Sequence, residues 1–202
     1  MNQEISSACQ WNKDPILAVL REVISDDKVR ILEVGTGSAE HAVYFASKLK
    51  NIIWTTTDIS AAHIKIKAKL DEAKLPNLRG PLAFEVGKDD FPKYTYDIVF
   101  TANTFHIMNW KQCKSLMKTL GHRLREGAQV IIYGPFNYDG KFTSESNAEF
   151  DQWLKNQDPQ RGIRSFEDVN TNMVKNGFTL FKDYEMPANN RMLVFTRLVF
   201  IK

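Results

Sequence analysis

Gly35 and Gly37 bracket Thr36 at the end of an apolar run, Ile31-Leu32-Glu33-Val34. Two glycines this close permit a tight turn and near approach of the backbone to a ligand. The helix that follows would present its free N–H groups at the same place. A dinucleotide fingerprint would carry a third glycine where Glu40 stands. A carboxylate beside a helix N-terminus opposes a pyrophosphate, but it does not oppose a ligand with a cationic centre and an amino-acid tail. A lone Gly-x-Gly also describes an ordinary strand-to-helix turn. Glu33 adds weight to the functional reading, because a carboxylate inside an apolar strand is costly unless paired.

Three further positions fall at the ends of apolar runs. Asp58, followed by Ile59, stands about one βα unit downstream. A carboxylate at such a strand end accepts hydrogen bonds from both hydroxyls of a ribose. Its alternative is a helix N-cap, a role that Ser60 also fits. Glu85-Val86 follows Leu82-Ala83-Phe84. An acidic side chain there suits the exocyclic amine of an adenine, with the next N–H facing the ring. Asp89 and Asp90 compete for that role, and a solvated loop is the plainer reading. After Asp97-Ile98-Val99-Phe100, Asn103 and His106 stand among aromatic residues. His106 reads either as a satisfied, semi-buried histidine or as a substrate contact or general base, since imidazole titrates near neutral pH.

Ligand crevices of open α/β sheets lie outside the carboxyl ends of the strands, so these four groups converge only on such a sheet. The hydrophobic periodicity predicts one. Helices are expected over 15–25, with Pro15 in the first turn, and over 41–49, 61–74, 111–124 and 166–176. In 41–49, Ala42, Phe45, Ala46 and Leu49 should face inward. Strands are expected over 30–34, 52–57, 81–86, 96–101 and 128–133, with β-branched and apolar content suited to a covered parallel sheet. Two last strands, 178–184 and 192–201, are joined by Met186-Pro187-Ala188-Asn189-Asn190. That connection is too short for a parallel crossover, so the pair should be antiparallel. A dehydrogenase-type dinucleotide domain lacks such a hairpin.

The whole chain, 202 residues, suits one domain over 1–202, and no repeat or linker divides it. A hydrophobic fraction of 43% and a net charge of +3 are those of an ordinary globular protein. Charge this weak does not by itself imply a nucleic-acid or membrane partner. Cys9 and Cys113 form no disulfide framework and read as free thiols. No signal-peptide pattern and no membrane-spanning run is present. The expectation is a cytoplasmic protein. The scattered histidines suggest no metal site. The lysines of 63–74 read as a solvated helix face rather than a nucleic-acid patch.

The succession Glu33-Val34-Gly35-Thr36-Gly37, Asp58, Glu85 and Asp97-Ile98-Val99-Phe100 with Asn103 resembles class I S-adenosylmethionine-dependent methyltransferases. More narrowly, the chain resembles the DUF938 family, also called the methyltransferase-like 26 group. The narrower likeness rests on Trp11-Asn12-Lys13-Asp14-Pro15-Ile16-Leu17, His41-Ala42-Val43-Tyr44-Phe45-Ala46, Tyr133-Gly134-Pro135-Phe136, Ser146-Asn147-Ala148-Glu149-Phe150-Asp151, Asp158-Pro159 and the Met186 to Asn190 connection. Two departures stand out. The loop reads Gly-Thr-Gly-Ser-Ala where the superfamily often has a third glycine, and Glu40 takes a position often held by Gln.

The resemblance implies a Rossmann-like α/β fold with a mostly parallel seven-stranded sheet, an antiparallel C-terminal hairpin and helices on both faces. It implies S-adenosylmethionine as cofactor and S-adenosylhomocysteine as product. Gly35, Thr36 and Gly37 would approach the methionine portion, with Glu33 orienting the loop or the amino group. Asp58 would hold the ribose, Ile59 would lie beside it, and Glu85 with Val86 would read the adenine. Asn103 would line the sulfonium side, and His106 and Tyr133 would contact the acceptor. Asn12 and Lys13, expected just before the first helix, would fold over the cofactor or simply cap that helix. The 137–165 insertion would shape the acceptor pocket, or form a surface loop whose short helix buries Phe150, Trp153 and Leu154. The expected acceptor is a small molecule. A cofactor-binding sensor or partner subunit without catalysis, an RNA or protein methyltransferase, and more distantly an NAD-dependent oxidoreductase are the competing readings.

Overall fold

The computed structural model describes residues 2–25 and 27–199, with residues 2–10 described by their backbone alone. The Cys9 side chain and Ile201 thus lie outside the described residues. In chain order the elements are α1 (Asn2–Val23), β1 (Val29–Val34), α2 (Glu40–Lys48), β2 (Ile52–Asp58), a short 3-10 turn (Ser60–Ala62), α3 (His63–Ala73), β3 (Leu78–Ala83), β4 (Ile98–Ala102), α4 (Trp110–Arg123), β5 (Gln129–Gly134), β6 (Phe136–Asn137), α5 (Glu145–Gln157), β7 (Arg164–Ser165), α6 (Phe166–Lys175), β8 (Phe178–Met186) and β9 (Asn190–Arg197).

Seven strands form one sheet in the order β3-β2-β1-β4-β5-β9-β8. The first five are parallel, whereas β9 is antiparallel to both β5 and β8. Ala188 and Asn189 both take left-handed conformations, closing the β8–β9 hairpin in a tight turn. Alternate side chains of the central strands enter two cores. Ile31, Trp54, Phe100 and Ile131 join Ile16 and Leu20 of α1 and Phe45 of α2. Leu32, Val99 and Val130 join Leu116 and Leu120 of α4 and Met173 of α6. Ala42, Phe45, Ala46 and Leu49 are buried as their spacing requires.

Several boundaries depart from the sequence reading, each for a physical reason. The first helix does not start at Pro15. It runs through that proline from Asn2, so Asn12 and Lys13 lie inside it rather than before it. Proline costs the helix one N–H donor, but Asn12, Ile16 and Leu20, one turn apart, are all buried and hold both sides of the proline on the protein. The third strand lies over Leu78–Ala83, three residues before the predicted 81–86. Pro81 is inside it, which an edge strand tolerates, and the pairing with β2 shifts register between Thr55 and Thr57. Glu85 and Val86 are therefore in the following connection. The last strand begins at Asn190, two residues early, and ends at Arg197.

In the insertion, Ser144 caps α5 by accepting the Asn147 N–H. Asn147, Asp151 and Leu154 are buried at helical spacing, while Trp153 remains 45% exposed, stacked on half-buried Phe150. Leu154 thus enters the core and Trp153 does not. The connection from β3 to β4 carries no helix, and β8, the other edge strand, has a register shift between Leu180 and Lys182.

Candidate functional site

The chain winds outward from β1 through β2 to β3, then returns to β4 on the other side of β1. This reversal places the topological switch point, where such sheets bind ligands, between the carboxyl ends of β1 and β4. The turn after β1 stands there. Its Gly35 and Thr36 N–H groups both donate to the Thr57 carbonyl, at 3.1 and 3.0 Å.

The two glycines serve different purposes. A Cβ on Gly35 would lie 2.6 Å from Thr104 Oγ1, so this glycine permits the β1 and β4 loops to approach each other. A Cβ on Gly37 would meet nothing within 4 Å, so the backbone faces open space at that point. Ala39 holds φ 61°, a left-handed conformation, and is the residue from which α2 starts.

Asp58 ends β2 with its carboxylate beside this turn. It accepts the Gly37 N–H at 2.8 Å and the Ile59 N–H at 2.7 Å. Neither Asp58 nor Ser60 caps α3, whose first residues lack any side-chain cap. The Phe84 N–H donates to the Asp58 carbonyl at 3.0 Å and brings the β3–β4 connection to the same crevice. Ile59 is exposed.

Glu33 points under the turn rather than across it. One oxygen accepts the Thr36 hydroxyl at 3.0 Å and the Trp54 indole N–H at 3.1 Å. Burial pushes its carboxyl up to about 7 against these two bonds. These bonds tie the turn at Thr36 to the neighbouring strand at Trp54. Glu40, the first residue of α2, has one carboxylate oxygen buried without a hydrogen-bond partner. The N-terminal helix dipole does not favour a cation there, yet an unpaired buried carboxylate oxygen is a site that a cation would satisfy.

Across the switch point, Asn103 takes φ 55° and donates its N–H to the Tyr133 carbonyl at 2.9 Å. A left-handed asparagine immediately after β4 is the kind of backbone strain that concentrates at functional sites. The Gly134 backbone faces Asn103 Oδ1 and His106 Nδ1, each 3.7 Å from where a Cβ would stand, so these three residues come together. His106 is buried and packs edge-on against Phe150, with ring centroids 5.2 Å apart. Burial, aided by Arg164 and Arg161, lowers its pKa to about 4. Tyr133 is buried within β5.

The remaining candidates are more dispersed. Glu85 pairs with Lys88 at 2.6 Å, and its N–H donates to Asp89 at 2.7 Å. The Val86 side chain belongs to the core. Asn12 reaches the first turn of α2, where the neutral His41 ring donates from Nε2 to its Oδ1 at 2.8 Å. Burial lowers the His41 pKa to about 4. Lys13 places its amine 5.0 Å from the Tyr44 ring centroid instead of in the crevice.

Sequence reasoning missed the threonines and the arginine that hold this site. Thr101 and Thr104 hydroxyls donate to the Val34 carbonyl, at 2.9 and 3.4 Å, and tie the β4 loop to the β1 turn. Arg164 donates to the carbonyls of Phe105 (3.0 Å), Gln160 (2.9 Å) and Met108. The Gly162 N–H donates to the His106 carbonyl at 3.0 Å. Threonines at strand ends are a faint signal, and an arginine nearly sixty residues from two of its three partners gives none.

This strand order, with its reversed hairpin, is the class I methyltransferase fold. The chain belongs to DUF938, a family described as of unknown function, whose model matches residues 3–197. Among solved structures it is similar to the S-adenosylmethionine-dependent methyltransferase SibL in its apo form, at 22% identity and TM-score 0.80, over 96% of this chain and 57% of that one. It is similar to an O-methyltransferase family 2 protein from Planctomyces limnophilus in complex with apigenin, at 16% identity and TM-score 0.82, over 97% and 59%. Human N-acetylserotonin methyltransferase in complex with S-adenosylmethionine matches at 14% identity and TM-score 0.80, over 98% and 55%. The chain spans a little over half the length of these proteins.

Proposed function

We propose that this chain is an S-adenosylmethionine-dependent methyltransferase for a small-molecule acceptor, within the methyltransferase-like 26 group. The observation that carries the reading is Asp58, whose carboxylate stands beside the glycine turn at the switch point. A carboxylate offers about four lone-pair sites. Two accept the Gly37 and Ile59 N–H groups, which leaves two for the two hydroxyls of a ribose. The open side of Gly37 and the unpartnered oxygen of Glu40 suit a ligand with an amino-acid tail and a positive charge.

When bound, the cofactor supplies a methyl group already activated on a sulfonium, so the protein mainly aligns the acceptor and excludes water. Gly35, Thr36 and Gly37 line the methionyl portion, with Glu33 fixing Thr36 from below. Asp58 holds the ribose beside Ile59, and Glu85 with the Val86 N–H flanks the adenine. Asn103 faces the reacting centre. Asn12 acts on the first turn of α2 through His41, and Lys13 stands at the margin. His106 and Tyr133 wall the acceptor side, and S-adenosylhomocysteine is the product. With a pKa near 4, His106 is a weak base, which suits an acceptor that needs little help in losing a proton. The apigenin complex of one neighbour and the name of another support a small acceptor. Two of the three lysines of α3, Lys67 and Lys69, pair with Asp71 and Glu72, which weakens the case for nucleic acid.

Titration calorimetry with S-adenosylmethionine and S-adenosylhomocysteine tests this. The wild type should bind both saturably. Asp58→Ala, which removes two hydrogen bonds to a charged acceptor, should weaken both by about a hundredfold or more while the circular dichroism spectrum is retained. A folded wild type that binds neither would sink the proposal.

A further inference from the structure

Because the β3–β4 connection has no helix, the sheet face above β2 and β3 on the α4 side is left open. A groove of about 380 Å³ occupies it, within the range of small-ligand sites. The parallel registers put Arg30 beside Ile53 and Arg79 beside Thr55 on one face. These four form the floor, and Tyr94 and Tyr96 form the wall. Ile53 is five residues before Asp58 and Thr55 three, so the groove floor lies roughly 10–16 Å from that carboxylate, toward the amino ends of the strands, with Leu82, beside Thr57, at the end nearer the crevice.

The lining has two cations and no carboxylate. Arg79 donates to the Pro76 and Leu78 carbonyls, at 2.6 and 2.8 Å, which fixes its guanidinium without neutralising it. The Arg30 guanidinium makes no hydrogen bond or ion pair among the described residues. Asp97, the acid bound to the Arg30 main-chain N–H, is also engaged by Arg125. The Tyr96 hydroxyl is buried beside Thr55 without a hydrogen bond of good geometry. Tyr94 is 66% exposed and offers a ring face.

We propose that this groove is a second ligand site, distinct from the crevice, for a small planar anion: an aromatic ring bearing one carboxylate or phosphate. Guanidinium groups match both anions in geometry and charge. The exposed Tyr94 ring takes up the aromatic body, and the Tyr96 hydroxyl, buried in the wall, gains the partner it lacks. The inference does not depend on the cofactor assignment.

An NMR titration of the ¹⁵N-labelled chain with phenyl phosphate, benzoate and the neutral analogue benzyl alcohol tests it. Either anion should produce saturable shifts of the Ile53, Thr55 and Arg79 amides, with Gly37 and Ile59 unmoved and benzyl alcohol inert. Arg30→Gln should weaken binding about tenfold, and Tyr94→Ala about threefold. Both side chains are exposed, so both variants should fold. Saturation by phosphate alone or carboxylate alone would identify which anion the site accepts and support it. No saturable shift at millimolar concentration, equal binding of benzyl alcohol, shifts centred on Gly37, or indifference to both substitutions would each overturn it.

Discussion

Glu33 is 2% exposed, yet one of its oxygens carries hydrogen bonds from both Thr36 and Trp54. The bonds favour the carboxylate and burial opposes it, and burial is the larger effect, lifting the pKa from 4.5 to about 7. A folded-state pKa raised above the unfolded one means that the native protein binds the extra proton. The resulting stability is fully present below about pH 4.5 and is lost as pH rises through about 7. Glu33→Gln keeps an acceptor for Trp54 and has no such titration. Urea unfolding at about pH 5 and about pH 8 should therefore show the wild type losing roughly 3 kcal/mol relative to Glu33→Gln between the two. Parallel curves would show that Glu33 titrates normally. The sequence marked this residue correctly as costly, because a lone acid in an apolar strand is visible in one dimension. Which side of the turn it faces was not visible, since that depends on Trp54 in the neighbouring strand.

The strand-to-helix turn has its own cost in Ala39, buried and held at φ 61°. A left-handed conformation costs an L-residue with a Cβ roughly 1–2 kcal/mol. Ala39→Gly should leave the unfolding free energy within about 1 kcal/mol of the wild type, because relief of this strain is offset by the lost buried methyl and the freer unfolded chain. A larger loss in denaturant unfolding would mean that the methyl group's packing outweighs the strain. Most elements were legible in the sequence, because apolar spacing at period 3.6 or in short β-branched runs reflects the layer an element must cover. The misplaced elements are those where a local rule yielded to packing. Pro15 reads as a helix start, yet α1 continues on both sides of it because one face is buried. Pro81 reads as the first residue of a strand, but β3 is an edge, where a missing N–H does little harm.

Over the whole molecule, the 137–165 insertion is bound back to the β4 loop. Arg164 reaches three main-chain carbonyls, two of them in that loop, and Asp151 accepts the Ile163 N–H at 2.7 Å within the insertion. Arg164→Met should cost about 2–3 kcal/mol, because carbonyls lose charge-assisted partners. It should also speed amide hydrogen exchange across 105–109 while leaving α3 unchanged. Unaltered exchange there would show that the loop holds its shape without the arginine. Nothing local announces this clamp, so the part of the crevice around the β4 loop was less legible than the part that lies along the ends of β1 and β2. The two edges of the sheet bear on how the chain behaves in a crowded solution. A proline interrupts β3 and a register shift interrupts β8, so neither edge presents an unbroken ladder of donors and acceptors to another molecule. Growth of the sheet by addition of foreign strands, the first step toward fibrous aggregates, is thereby obstructed at both ends.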